Sequence, residues 1–174
     1  MILAAGKGKR MGIEMPKVLV SLKGEPVLYH ILRSVRAAGI DPRPIIVVGE
    51  NKPLIEAALI AGGFEADYVV QGEQLGTGHA VRAAESAAQG AESVLVLYGD
   101  HPFVSSTTIK NIARLHEESG AMLTLATLIA PDFEDWRVSF ADFGRIIRGE
   151  DGAILRIVEK KDGTPAELAV RELN

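Results

Sequence analysis

Short runs rich in Val and Ile recur along the chain, and between them the apolar residues switch to helical spacing. That alternation is met by an α/β domain on a mainly parallel sheet, because each return to the same end of the sheet needs a crossover helix. Ile2 to Ala5 reads as a buried first strand. Pro26 suits a first helical turn, and Val27, Leu28, Ile31, Leu32 and Val35 form the apolar stripe of a helix that Gly39 ends. Ile45 to Val48 is the next strand, Leu54 to Ala61 a helix stopped by Gly62-Gly63, and Tyr68 to Val70 a strand. His79 to Ala88 reads as an Ala-rich helix, and Val94 to Tyr98 as the clearest strand of all. Ser105 or Ser106 caps a helix running to Ser119-Gly120, and Met122 to Ile129 is a further strand.

The alternation then breaks. Pro131 to Phe143 holds the only Trp and three of the five Phe without a clean period, so it reads as an insertion or flap. Gly144 to Arg148 and Ala153 to Glu159 flank Asp151-Gly152, a strong hairpin signal.

At 174 residues the chain is expected to be a single domain over 1–174, large enough to bury roughly two thirds of its unfolded surface. It has no Cys, which excludes disulfides and thiolate metal sites and suits a reducing compartment. No apolar run approaches the roughly 20 residues of a membrane span, and Met1-Ile2-Leu3 meets glycine too soon for a signal peptide. A cytoplasmic protein is expected. The net charge of −4 argues against a general nucleic-acid or anionic-membrane surface, which needs a basic face.

Positive charge is instead local. Lys7, Lys9, Arg10 and Lys17 fall within eleven residues that hold one acid, Glu14. The same stretch, LAAGKGKRM at Leu3 to Met11, spills from a strand end into a glycine loop. Gly6 and Gly8 let backbone N–H groups turn toward an anion, and the cations suit a polyphosphate. A dinucleotide-binding loop would open directly into a helix, which Pro16 opposes, and the acid expected about 20 residues on is replaced by the helix at Leu28 to Ala38. No Walker A loop is present.

LYGDHP at Leu97 to Pro102 puts Asp100 at the carboxyl end of a central strand, where open α/β sheets bind ligands. A carboxylate beside a polyphosphate repels it unless a hard cation lies between, so Asp100 is the candidate ligand for Mg²⁺. QGEQLGTGHAV at Gln71 to Val81 forms another strand-to-helix loop. Gln71 offers both donor and acceptor to a pyrimidine edge, and Gly76 to Gly78 permit close approach to a flat base. His79 is read as a cap or packing residue.

The loop followed by PKVL resembles the signature of sugar-1-phosphate nucleotidyltransferases. With the Gln71 loop, and with FGRI at Phe143 to Ile146, IVEKKD at Ile157 to Asp162 and RELN at Arg171 to Asn174, it resembles the uridylyltransferase half of the bacterial bifunctional N-acetylglucosamine-1-phosphate uridylyltransferase/glucosamine-1-phosphate acetyltransferases. The resemblance implies a Rossmann-like mixed, mainly parallel sheet with helices on both faces, of the nucleotide-diphospho-sugar transferase type. It implies nucleotide contacts from Leu3, Ala4, Ala5, Gly6, Lys7, Gly8, Gln71, Gly76 and Thr77, and sugar contacts from Gly144, Glu159 and Asn174.

Its partners would be UTP and a sugar-1-phosphate, with Mg²⁺ on Asp100 and with Arg10 and Lys17 gripping phosphates. Against that family the chain starts at the end of the first strand and stops before further sugar-site residues, a second metal-ligating Asn and the β-helix acetyltransferase domain. It is therefore expected to be an incomplete nucleotidyltransferase domain, its oligomeric state open. The rival readings are a nucleotide or sugar-nucleotide binding module without turnover, and a CTP-using cytidylyltransferase.

Overall fold

A computed structural model of the chain describes residues 1–6, 12 and 15–174. These form two compact units, Met1–Arg114 and Leu115–Asn174.

The first unit is built on a parallel sheet of strands β1 (Ile2–Leu3), β4 (Ile45–Val48), β5 (Asp67–Val70) and β6 (Leu97–Tyr98), in the order β5-β4-β1-β6. Ile2 lies between Ile46 and Leu97, and Leu3 between Val47 and Tyr98. Successive side chains point to opposite faces. Ile2, Ile46 and Val48 therefore join one core with Leu28, Ile31, Leu32 and Val35 of α1 (Val27–Ala38) and Ile55 and Leu59 of α2 (Lys52–Ala61). Val47 joins the other with Ala80 of α3 (Thr77–Ala83), beside Met1, Leu3, Ile45 and Val69. A strand covered on both faces must be apolar throughout, which is why Ile45–Val48 carries no polar residue. The sheet thus has helices on both faces.

The winding creates a reversal point in the sheet. Crossovers through α1 and α2 carry the chain outward from β1 to β4 and β5 over one face, and α3 brings it back over the other to β6 on the far side of β1. The direction reverses between β1 and β6, the kind of position at which open α/β sheets bind ligands. A small hairpin of β2 (Ser21–Leu22) and β3 (Glu25–Pro26) turns through Lys23 and Gly24, at φ +53° and +88°. Helix α4 (Ser106–Ser119) contains the boundary between the units; its Thr108 N–H donates to the Ser105 hydroxyl at 3.1 Å, and Ile109 joins the first core.

The second unit holds an antiparallel sheet of β7 (Leu128–Ile129), β8 (Arg145–Arg148), β9 (Ile154–Val158) and β10 (Glu172–Leu173), in the order β7-β10-β8-β9. The β8–β9 hairpin turns at Gly152 as its sequence predicts. Helix α5 (Pro165–Leu168) begins in a capping box: the Glu167 N–H donates to the Thr164 hydroxyl, and the Glu167 carboxylate accepts from the Thr164 N–H.

Several expected elements are shorter than their patterns. The first strand stops at Leu3, although the Ala4 N–H still donates to Val47 O. Residues 94–96 are not strand, because β6 pairs only with β1, which extends from Ile2 to Leu3. Likewise Met122 to Thr127 stay outside the sheet, since β7 pairs only with the short β10. Helix α3 gives way at Ala84 to tight turns, such as Ala87 N–H to Ala84 O at 3.1 Å, instead of continuing to Ala88. The Pro131 to Phe143 segment contains a 3₁₀ helix at Asp135–Asp142, where Trp136 packs edge-on to Phe140 and Phe140 against Phe143. No helix among the described residues is long and apolar enough to cross a membrane.

Candidate functional site

The loops leaving the carboxyl ends of β1, β4, β5 and β6 carry most of the sequence-predicted residues of the first unit. At the β1/β6 reversal the Gly99 N–H donates to Leu3 O at 2.9 Å. A Cβ on Gly99 would stand 3.0 Å from that oxygen and 3.1 Å from Val18 Cγ1, so only glycine lets the two strand ends come this close. Asp100 follows directly. One of its carboxylate oxygens takes a hydrogen bond of 2.7 Å from Lys17 Nζ, across 83 residues of sequence. The His101 ring nitrogen lies 3.8 Å from the other. Lys17 is positioned by a 3₁₀ turn, Lys17–Leu19, anchored by buried Val18.

On the other side of β1, Ala5 O accepts from the amide nitrogen of Gln74, tying the Gln71 loop to the first loop. Gly49, just after β4, fits beneath them; a Cβ there would meet Ala5 O at 3.1 Å and Gln74 Nε2 at 3.3 Å. Gln71 is 4 % exposed, its N–H bonded to Val48 O. Its amide nitrogen donates to His79 Nδ1 at 3.1 Å and to Gly76 O at 3.4 Å. The nitrogen expected to serve a base is thus used within the protein, which leaves Oε1 as the remaining polar atom of the Gln71 amide. Gly76, at φ +106°, precedes α3 and is exposed, as is Thr77, the first residue of the helix.

Lys7, Gly8 and Arg10 lie outside the described residues. Leu3, Ala4, Ala5 and Gly6 lead into them at the carboxyl end of β1. Among the described residues no group of three or more His, Asp or Glu side chains forms a metal cage. A single carboxylate at Asp100 suits a cation that takes its remaining ligands from a substrate, as Mg²⁺ does with phosphates.

In the second unit the register aligns three predicted residues. Leu173 pairs with Arg145 and Arg145 with Val158, so the next step along each antiparallel ladder sets Asn174, Gly144 and Glu159 in a row across β10, β8 and β9. The Asn174 N–H donates to Gly144 O at 3.3 Å, and a Cβ on Gly144 would come within 2.5 Å of Asn174 Oδ1. Beneath the row, Arg145 is 2 % exposed, its guanidinium donating to carbonyls of Leu168, Phe143 and Ala141 and lying over the Phe133 ring.

A sequence profile of the MobA-like NTP transferase domain matches residues 1–135. The chain belongs to that family. This NTP transferase domain is 39 % identical over 174 residues to the bifunctional protein GlmU of Exiguobacterium sibiricum, covering 99 % of the chain and 36 % of the relative. It is 44 % identical to GlmU of Lactobacillus gasseri, covering 99 % and 35 %. The chain thus spans about a third of the length of the curated relatives it matches. A crystal structure of UDP-glucose pyrophosphorylase complexed with UDP-glucose superposes with a TM-score of 0.67 over 99 % of the chain and 71 % of the other, at 22 % identity. HddC from Yersinia pseudotuberculosis complexed with GMP-PN gives 0.65 over 91 % and 68 %, also at 22 %. At that identity the two structures establish the fold.

Within this NTP transferase domain, sequence reasoning named Lys17, Asp100, Gln71 and the Gly76 loop. It missed the Gln74 tie to Ala5, which no local pattern announces, and the partnership of Gln71 with His79. Buried Arg145 lies between Leu173 and Val158 across the sheet, a setting the Arg-Ile-Ile-Arg pattern of β8 does not announce.

Proposed function

We propose that this domain transfers a uridylyl group from UTP to a sugar-1-phosphate, with N-acetylglucosamine-1-phosphate as acceptor. The observation that carries the reading is the Lys17–Asp100 pair at the β1/β6 reversal, a cation and an anion brought together in a domain related to GlmU. A phosphate oxygen of the sugar attacks the α-phosphorus of UTP, a new P–O bond forms, and the bond to the β-phosphate oxygen breaks to release pyrophosphate. No protein nucleophile is required, because the acceptor is already an anion; the task is to hold two repelling anions in line.

Lys17 supplies charge between the α-phosphate and the incoming phosphate, and Arg10 grips the outer phosphates. Asp100 holds Mg²⁺, which when bound neutralises triphosphate charge and polarises phosphoryl oxygens. Before substrate arrives, Lys17 and Asp100 neutralise each other. A partly exposed pair of this kind contributes about 0.2–1 kcal/mol, so exchanging it for charge-assisted phosphate contacts costs little. Gln71, Gly76 and Thr77 receive the base, and Gly144, Glu159 and Asn174 of the second unit contact the acetamido sugar.

Pyrophosphate release over a panel of nucleoside triphosphates and sugar-1-phosphates, with calorimetry of UTP binding, tests the reading. Mg²⁺-dependent UTP binding and pyrophosphate release with N-acetylglucosamine-1-phosphate are expected. UDP-sugar binding that ignores Mg²⁺ and releases nothing refutes turnover and makes the domain a binding module.

A further inference from the structure

Gln71 and His79 form a side-chain pair whose polarity is fixed by a backbone oxygen. The Gly76 carbonyl only accepts, and the Gln71 side-chain atom facing it at 3.4 Å must be the amide nitrogen; the reversed amide would set two acceptors against each other. The same nitrogen stands 3.1 Å from His79 Nδ1. An amide NH₂ has hydrogens and no lone pair to offer, so Nδ1 must carry the lone pair and the ring proton must sit on Nε2. Gly76 O accepts a second bond from the Ala80 N–H at 3.1 Å, and α3 thereby holds oxygen and imidazole in one rigid frame. Gln71 is buried, so water does not replace a lost partner freely.

We propose that His79 is a positioning residue for base selection: by accepting from the Gln71 amide it keeps Oε1 as the face presented to the nucleotide. This rests on the reading above that Gln71 receives the base. An outward acceptor pairs with the N3–H of uracil. Cytosine presents a lone pair at N3, so its ring nitrogen meets Oε1 acceptor to acceptor and is rejected. The discrimination thus comes from a histidine that does not itself touch the base. Without an acceptor at position 79 only the longer 3.4 Å contact to Gly76 O still favours the present orientation, so the amide turns over more readily and offers its NH₂ to cytosine.

The test compares UTP and CTP affinity by calorimetry, with Mg²⁺ present, for the unaltered protein, His79→Leu, His79→Asn and Gln71→Ala. His79→Leu should cut the UTP-over-CTP preference about tenfold, the size of one net hydrogen bond. His79→Asn, whose side-chain oxygen replaces the Nδ1 acceptor, should restore most of it. A preference unchanged in His79→Leu overturns the proposal. Gln71→Ala separates the two layers: unchanged UTP affinity there refutes base contact by Gln71 itself, whereas weakened UTP binding with an indifferent His79→Leu refutes only the lock. ¹⁵N spectra of the unaltered protein give a check that needs no variant. The Nε2–H tautomer of His79 is expected, and an Nδ1–H tautomer overturns the proposal.

Discussion

Gly99→Ala isolates the close approach of the β1 and β6 strand ends in the first unit. Gly99 does not occupy the left-handed region, so alanine meets no backbone strain there and any cost is steric. The added Cβ would stand 3.0 Å from Leu3 O, about 0.4 Å short of the 3.4 Å at which ordinary contact begins, and 3.1 and 3.3 Å from Val18 Cγ1 and Leu28 Cδ1. Leu3 O is backbone, fixed by the Gly99 N–H, and Val18 and Leu28 are buried, so none of the three yields by a simple rotamer change. Overpacking of this kind costs about 1–3 kcal/mol, partly offset by about 0.4–1 kcal/mol from the stiffer unfolded chain. With a urea m-value of about 2 kcal/mol/M the midpoint should fall by roughly 0.5–1 M. Gly72→Ala is the control: it has open space and no positive φ, so it carries only the unfolded-chain effect and its midpoint should equal or slightly exceed that of the unaltered protein. Turnover should fall about tenfold or more in Gly99→Ala, because Asp100 moves with the strand end and small misplacements of catalytic groups are costly. An unchanged midpoint together with full turnover would refute the packing of β6 against β1 described above.

Lys17→Ala and Asp100→Ala should each lower the rate of pyrophosphate release by about 10²–10³ while leaving the stability read from urea titrations within about 0.5 kcal/mol of its starting value, as expected for charge stabilisation by a weak, partly exposed pair. Near-normal turnover in either would remove that residue from the mechanism. In the second unit, the Arg148 guanidinium and then the Thr127 hydroxyl hold Glu172 down to about 2. Its contribution to stability is therefore complete above the ordinary carboxylate value of 4.5 and lost as pH falls from there through about 2; the stability gap between the protein and Glu172→Gln should close over that window in urea titrations. Thr164→Ala breaks the capping box of α5 and should cost about 0.5–2 kcal/mol, with faster amide exchange at Glu167 as the local sign.

The legible parts of the sequence were those whose cause is local. Ile45–Val48 is apolar because both of its faces are covered, and Val27–Ala38 repeats at helical spacing because one face is. Asp151-Gly152 turns a hairpin by its own chemistry. Lys23-Gly24 carries a similar turn signal, and Thr164-Pro165-Ala166-Glu167 spells out a cap, so β2, β3 and α5 were readable but unread. Strand ends were less legible, because pairing depends on the neighbour. Val94 to Val96 have strand character but, among the described residues, only the Met1 amino group bonds to them, at Leu95 O, whereas Glu172–Leu173 has little pattern of its own and is a strand because β7 and β8 flank it. Gln74 reaches Ala5 across 69 residues, a contact made only by the winding of the sheet.

Two ion pairs show how function and scaffold part company within one sequence. Arg148 grips Glu172 with two guanidinium nitrogens, at 2.7 Å each, while Thr127 occupies the same carboxylate; the side chain of Glu172 is 16 % exposed and every contact is directed. Such a pair holds strands together and resists exchange. Lys17 meets Asp100 through one ammonium contact, with side chains 48 % and 27 % exposed. A compact ammonium on a flexible stem has no fork geometry to lose, so it can leave the carboxylate for a phosphate oxygen without disturbing the strands that carry either residue. The fold supplies the rigidity, through a glycine that lets β1 and β6 meet, and on the function proposed above the weak pair supplies charges that change partners when a phosphate arrives.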